Sequence, residues 1–109
     1  MLESLLGSIN RERVLVFLHA RGEGYAREIA RFFKTDLDPV QKQLERLEFG
    51  GIIYCRSAGK TRVYAFNPRY PFLAELKALM DKALSFYPVA EKEELVLARK
   101  RPRRKDKPL

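Results

Sequence analysis

One cysteine and one histidine in a chain of 109 residues leave little room for redox or metal chemistry. Cys55 alone cannot close an internal disulfide, and chelation within one chain would have to draw on His19 and carboxylates. No metal and no cofactor is therefore expected. Long apolar runs are missing as well. The longest, Val14–Leu18, falls far short of the roughly 20 residues that a membrane-crossing helix requires. The opening residues, with Glu3 beside a few apolar side chains, lack the charge pattern and extended apolar stretch of a secretory signal. The expectation is a soluble cytoplasmic protein with no membrane contact. What is present is 46% hydrophobic and 33% charged residues, enough for one compact core and too little for two.

The net charge of +8 points to a polyanionic partner, but it is unevenly spread. Seven of the 22 basic residues and a single acid, Asp106, lie between Arg99 and Lys107, so that segment alone carries +6 and the remainder +2. Charge blocks of this kind are commonly solvated extensions, and in either case they attract phosphates without selecting a sequence.

Helix signals begin at Ser8 or Asn10, either of which can cap an opening turn. Val14, Leu15 and Leu18 then form an apolar stripe with Phe17 at its edge, while Arg11, Glu12 and Arg13 are placed to meet water. Gly22-Glu23-Gly24 offers two residues that tolerate positive φ and a tight turn. A short second helix over Ala26 to Phe33 buries Ile29, Ala30 and Phe33 and turns Arg27, Glu28 and Arg31 outward. Asp36 or Asp38 caps a third, with Pro39 in its first turn. Its stripe is Val40, Leu44 and Leu47, which leaves a polar, cationic surface containing Lys42, Glu45 and Arg46, with Gln41 and Gln43 flanking the stripe.

Gly50-Gly51 ends that helix, and two β-rich runs, Ile52-Ile53-Tyr54-Cys55 and Thr61 to Phe66, flank the turn Ala58-Gly59-Lys60 as a hairpin with a basic tip. After Asn67-Pro68, a last long helix from Pro71-Phe72 to about Phe86 repeats Leu73, Leu76, Met80, Ala83 and Leu84 at three- and four-residue spacing. Ala90 to Lys100 fits a helix or a strand. Three helices followed by a hairpin is the order of a winged helix-turn-helix. The predicted fold is mainly α with a small β-hairpin: a three-helix core, a two-stranded wing and a long C-terminal helix over residues 1–88, whose stripe would be core in a generic domain, then a basic tail over 89–109.

Tyr25-Ala26-Arg27-Glu28-Ile29-Ala30, then Val40 with Gln43-Leu44-Glu45-Arg46-Leu47-Glu48, then Gly51-Ile52-Ile53, resembles the signature of ArsR-type transcriptional regulators. The phrase Tyr64-Ala65-Phe66-Asn67-Pro68-Arg69-Tyr70-Pro71-Phe72 is similar to a metal-independent branch of that family. The resemblance spans residues 5–87. It implies a sequence-specific regulator of transcription, a repressor that binds double-stranded DNA as a homodimer on a pseudo-palindromic operator. It also implies that the terminal helices pair across a two-fold axis, burying Leu73, Leu76, Met80 and Ala83. Metal-sensing members carry paired cysteines on the recognition helix, and this helix has none, so Cys55 reads as a small apolar strand residue and His19 as structural. No small-molecule effector is named by the sequence.

Base-edge and phosphate chemistry fits the same positions without reference to the family. Amide and guanidinium groups pair bidentately with base edges, and lysine serves bases or phosphates. The DNA-binding candidates are Arg27, Gln41, Lys42, Gln43 and Arg46, with Arg56, Lys60 and Arg62 on the wing facing backbone or minor groove. Taken alone, Lys42 and Arg46 are also what any solvated helix face would show; the adjoining hairpin favours contact.

An enzyme is not expected. Gly7-Ser8 and Asp36-Leu37-Asp38 superficially match elements of nucleotidyltransferases, but the third carboxylate strand is missing and the aspartates have capping roles. The serious alternative is a winged-helix adaptor module that binds a protein partner rather than DNA.

Overall fold

The computed structural model describes residues 1–100, with side chains through residue 96. In chain order the elements are α1 Glu3–Leu6, α2 Ile9–Arg21, α3 Ala26–Phe32, α4 Leu37–Phe49, β1 Ile53–Ala58, β2 Thr61–Phe66, α5 Leu73–Leu84 and α6 Val89–Lys100. Helix α2 is the hub, packed by α4, α5, α6 and the hairpin. Its cap is Ser8, whose Oγ accepts from the amides of Asn10 at 3.1 Å and Arg11 at 3.3 Å. Because neighbours surround it, the whole run Val14–Leu18 is buried, Phe17 included, and not a one-sided stripe. Each such side chain contributes about 1.5–3 kcal/mol on burial.

Glu12, expected in water, is only 2% exposed. Its Oε1 accepts the Leu2 amide at 2.6 Å and its Oε2 accepts the Tyr87 hydroxyl at 2.8 Å. These partners replace the lost hydration, which is the condition for burying a carboxylate. Neither partner is visible in the helical periodicity of α2, since one precedes the helix and the other lies 75 residues further on.

Between Asp36 and Asp38, the N-cap position of α4 falls to Asp36, with extended backbone at φ −67°, ψ 148°, but its side chain makes no capping hydrogen bond, contrary to expectation. Asp38 lies in the first turn, where the unpaired amides favour an acid. Val40, Leu44 and Leu47 are buried as the stripe predicts. The hairpin is antiparallel, in a register running from Ile53↔Phe66 to Ala58↔Thr61. Its two-residue loop begins with Gly59 at φ 63°, the left-handed geometry that such loops favour.

Gly24 adds a short third edge to the wing. Its amide and carbonyl bond the Tyr64 carbonyl and amide at 3.0 and 2.8 Å. Unlike Gly22, at φ 89°, Gly24 is not in the left-handed region. Its smallness is needed instead for close approach, because a Cβ there would sit 2.7 Å from Phe17 Cε1.

In α5, Met80, Ala83 and Leu84 are buried within the chain. Residues 89–100, assigned above to a basic tail, are helical as α6, which lies against α2 and buries Leu95 completely. The folded unit therefore extends past 88. The remaining tail residues, 101–109, lie outside the described residues. No helix among the described residues is long and apolar enough to cross a membrane.

Candidate nucleic-acid interface

With Val40, Leu44 and Leu47 turned inward, helical geometry sends the positions between them out to solvent. Gln41, Lys42, Glu45, Arg46 and Phe49 are exposed. Lys42, Arg46 and Phe49, at i, i+4 and i+7, share one outward strip of α4. Asp38 is exposed too, so the outward surface is charge-mixed and not cationic as expected. The cause is plain in the helix itself: Asp38 and Glu45 alternate with Lys42 and Arg46 at the three- and four-residue steps that define a face.

Gln43 departs from its expected role. It is 7% exposed, and its Oε1 accepts from Arg11 Nε at 2.9 Å. Arg11 in turn gives Nη1 to the Leu6 carbonyl at 3.0 Å, so this polar chain links α4 to α2 and the end of α1. A side chain committed in this way cannot read a base edge. Gln43 therefore fixes the position of the helix, while Gln41, Lys42 and Arg46 remain exposed on it.

Arg27 and Arg31 are exposed on α3, which packs against α4. On the wing, Lys60 is exposed in the loop between the strands. The other two wing candidates are engaged. Arg56 Nη2 lies 2.7 Å from Glu23 Oε1, and this partner holds the guanidinium pKa above its usual value. Arg62 donates Nε to Cys55 Sγ at 3.1 Å and Nη2 to Glu48 at 3.3 and 3.4 Å; the Cys55 bond leads the causes that raise its pKa. Both arginines keep their charge, but each is shared with a carboxylate on the protein. Such exposed pairs contribute only about 0–1 kcal/mol, so a phosphate can compete for either cation.

Cys55 is half-buried and acts as acceptor for Arg62, a polar role beyond the apolar one expected of it. His19 Nε2 lies 3.3 Å from Asp81 Oδ1 and links α2 to α5. Among the described residues, no group of three or more His, Cys, Asp or Glu side chains is arranged to hold a metal ion.

Of the four residues assigned to a dimer interface, Met80 is fully buried inside the single chain and Ala83 is 3% exposed, reaching the surface only at the floor of an apolar groove beside Leu79 and Phe86. The reason is that α5 lies on α2, which takes up that side of its stripe. Leu73 and Leu76 remain half-exposed. Sequence reasoning passed over Phe49, which is 95% exposed at the end of α4, and Glu23 and Glu48, which hold the wing arginines. Phe49 was open to notice as a large apolar residue off the Val40, Leu44, Leu47 stripe; the two carboxylates were not, because their partners lie on other elements.

No family model matches the sequence, and no curated protein matches it. Among solved structures, the chain is similar to an apo, doubly mutated form of ZitR from Lactococcus lactis. The TM-score is 0.54 over 80% of this chain and 74% of that one, at 18% identity. The fold is a winged helix. In that frame α3 and α4 form the helix-turn-helix, β1 and β2 the wing, and Gly24 the short strand that ties the wing to the turn between α2 and α3.

Proposed function

We propose that this winged helix is a sequence-specific DNA-binding regulator of transcription, a repressor acting as a homodimer on a pseudo-palindromic operator, and not an enzyme. One observation carries the reading: the strip of α4 bearing Gln41, Lys42 and Arg46 is free of the protein's own body and stands beside a two-stranded wing with Lys60 in its loop. A helix presented in this way enters a major groove, while Arg27, Arg56, Lys60 and Arg62 meet phosphates around it. The winged-helix fold that the chain shares with ZitR is consistent with this reading.

Support for the dimer comes from apolar surface that one chain leaves uncovered. Leu5, Phe72 and Phe86 are each more than 60% exposed, and a groove of about 350 Å³ is lined by Leu2, Leu79, Ala83 and Phe86, among others. Pairing through α1 and α5 covers this surface and sets two recognition helices about 34 Å apart, one turn of DNA. The test is selection of bound duplexes from a random pool by the purified chain. Enrichment of an inverted repeat with half-sites one turn apart supports the reading, and a pool that remains random refutes it.

The adaptor reading has its own observation. Phe49 stands nearly fully exposed among charges of both signs, a form that suits an aromatic anchor in a protein interface. Retained DNA selection in Phe49→Ala separates the two readings, because a protein-binding anchor has no part in it.

A further inference from the structure

Away from the α4 strip, α3 and α6 enclose a cleft of about 470 Å³ lined by Arg21, Tyr25, Glu28, Arg31, Phe32, Lys34 and Glu94. We propose that this cleft is a binding site for a small aromatic anion, an aryl phosphate or aryl carboxylate. The proposal does not rest on the DNA reading, because occupancy is measured directly.

Arg21 is the anchor. Its guanidinium lies over the Phe17 ring at 4.7 Å and the Phe32 ring at 5.5 Å, and its side chain is 14% exposed. Nη1 reaches Glu28 Oε2 only at 3.4 Å, and the buried Nε has no hydrogen-bond partner among the described residues. Held by two rings, this guanidinium is already ordered before any anion arrives, which lowers the entropy lost on binding.

Arg31 and Lys34 add two exposed cations, and no ion pair engages either one among the described residues. Lys34 is informative because of its backbone. It follows the end of α3 at φ 53°, in the left-handed region, where glycine is the usual residue and any other side chain carries a steric cost. Lysine at that position places a charge at the cleft at the expense of backbone comfort. Tyr25 and Phe32 supply half-buried aromatic surface, and the volume lies within the roughly 300–1,000 Å³ range of small-molecule sites. Among the described residues, three cations against Glu28 and Glu94 leave a net positive lining, which favours an anion and rejects a cation.

The test uses the full chain and phenyl phosphate as probe, read by isothermal titration calorimetry and by thermal shift. Benzoate, inorganic phosphate and phenol separate the contributions of charge and ring. The expected result is saturable binding of phenyl phosphate at one site per chain, with phenol inert and inorganic phosphate weaker. Arg31→Gln with Lys34→Gly should weaken binding about tenfold or more, since each removes a charge-assisted donor. Glycine relieves the left-handed strain at 34, so the variant folds and a loss of binding is not a loss of structure. Glu94→Gln should change affinity in the opposite direction, tightening it by about 2–5-fold through removal of a like charge. Absence of saturable phenyl phosphate binding at millimolar concentrations, or equal binding by the Arg31→Gln, Lys34→Gly variant, overturns the proposal.

Discussion

Gly24→Ala is the substitution whose effect the structure sizes most directly. Gly24 lies outside the left-handed region, so an alanine meets no backbone penalty, and on chain entropy alone it should stabilise the fold by about 0.4–1 kcal/mol. Packing reverses that sign. The new Cβ would lie 2.7 Å from Phe17 Cε1 and 3.1 Å from Cδ1, so the ring has to retreat by about 0.7 Å to reach ordinary contact. It has little freedom to do so: Phe17 is fully buried, sits edge-on to Phe32 at 5.9 Å and lies beneath the Arg21 guanidinium. Overpacking of this kind costs about 1–3 kcal/mol. In a domain of this size each kcal/mol lowers Tm by about 4–8 °C.

Urea and thermal unfolding of wild type and Gly24→Ala measure the difference. Phe17→Leu in the alanine background removes the ring edge, so the double variant should lose less than the sum of the two single losses. An alanine variant as stable as wild type, or strict additivity with Phe17→Leu, refutes the close-approach account of Gly24.

Three further outcomes are expected. Gln43→Ala should cost about 1–3 kcal/mol in a urea melt by stranding Arg11, whereas Gln41→Ala should leave stability within about 0.5 kcal/mol of wild type; equal effects at both positions would contradict the division of roles between them. Burial, followed by the Glu12 hydrogen bond, raises the Tyr87 pKa above its usual value near 10. The stability linked to Tyr87 is therefore fully present below pH ~10 and is lost as pH rises through the higher folded value. Tyr87→Phe should flatten that alkaline loss in a stability-against-pH series, and an unchanged alkaline limb would refute the assignment. Leu73→Glu should convert a dimer to a monomer by light scattering while far-UV circular dichroism stays the same; a wild-type chain that is already monomeric at high concentration removes the dimer from the proposed function.

The element order was readable from the sequence because its signals are local. Ser8, Gly22, the Asp36 to Pro39 start, Gly50-Gly51 and the Gly59 turn each punctuate the chain within a few residues of the boundary observed. The buried face of α4 followed from periodicity alone. What escaped depends on partners distant in sequence. Glu12 and Gln43 are polar residues whose burial is set by Tyr87 and Arg11, and a helical pattern cannot show who arrives across a gap of 75 or 32 residues. Helix α1, four residues long, is too short to display any period. Helix α6 is highly charged, and Leu95, fully buried where α6 lies against α2, gives almost no amphipathic signal by itself. Met80 and Ala83 belong to the same α5 stripe as Leu73 and Leu76; only the placement of α2 separates core from surface among them. The Arg56 and Arg62 charges were visible in the sequence, but their sharing with Glu23 and Glu48 was not.

The central claim is that the outward strip of α4 binds duplex DNA. Fluorescence anisotropy of a labelled duplex, selected from a random pool, tests it against wild type and the Lys42→Ala, Arg46→Ala double variant at 50 and 200 mM salt. The account predicts binding that weakens by roughly 10³-fold or more between the two salt concentrations if six or more phosphates are neutralised. It also predicts at least about tenfold weaker binding by the variant at equal Tm. A variant that binds as tightly as wild type, or a wild-type chain that binds no duplex even at the lower salt, contradicts it.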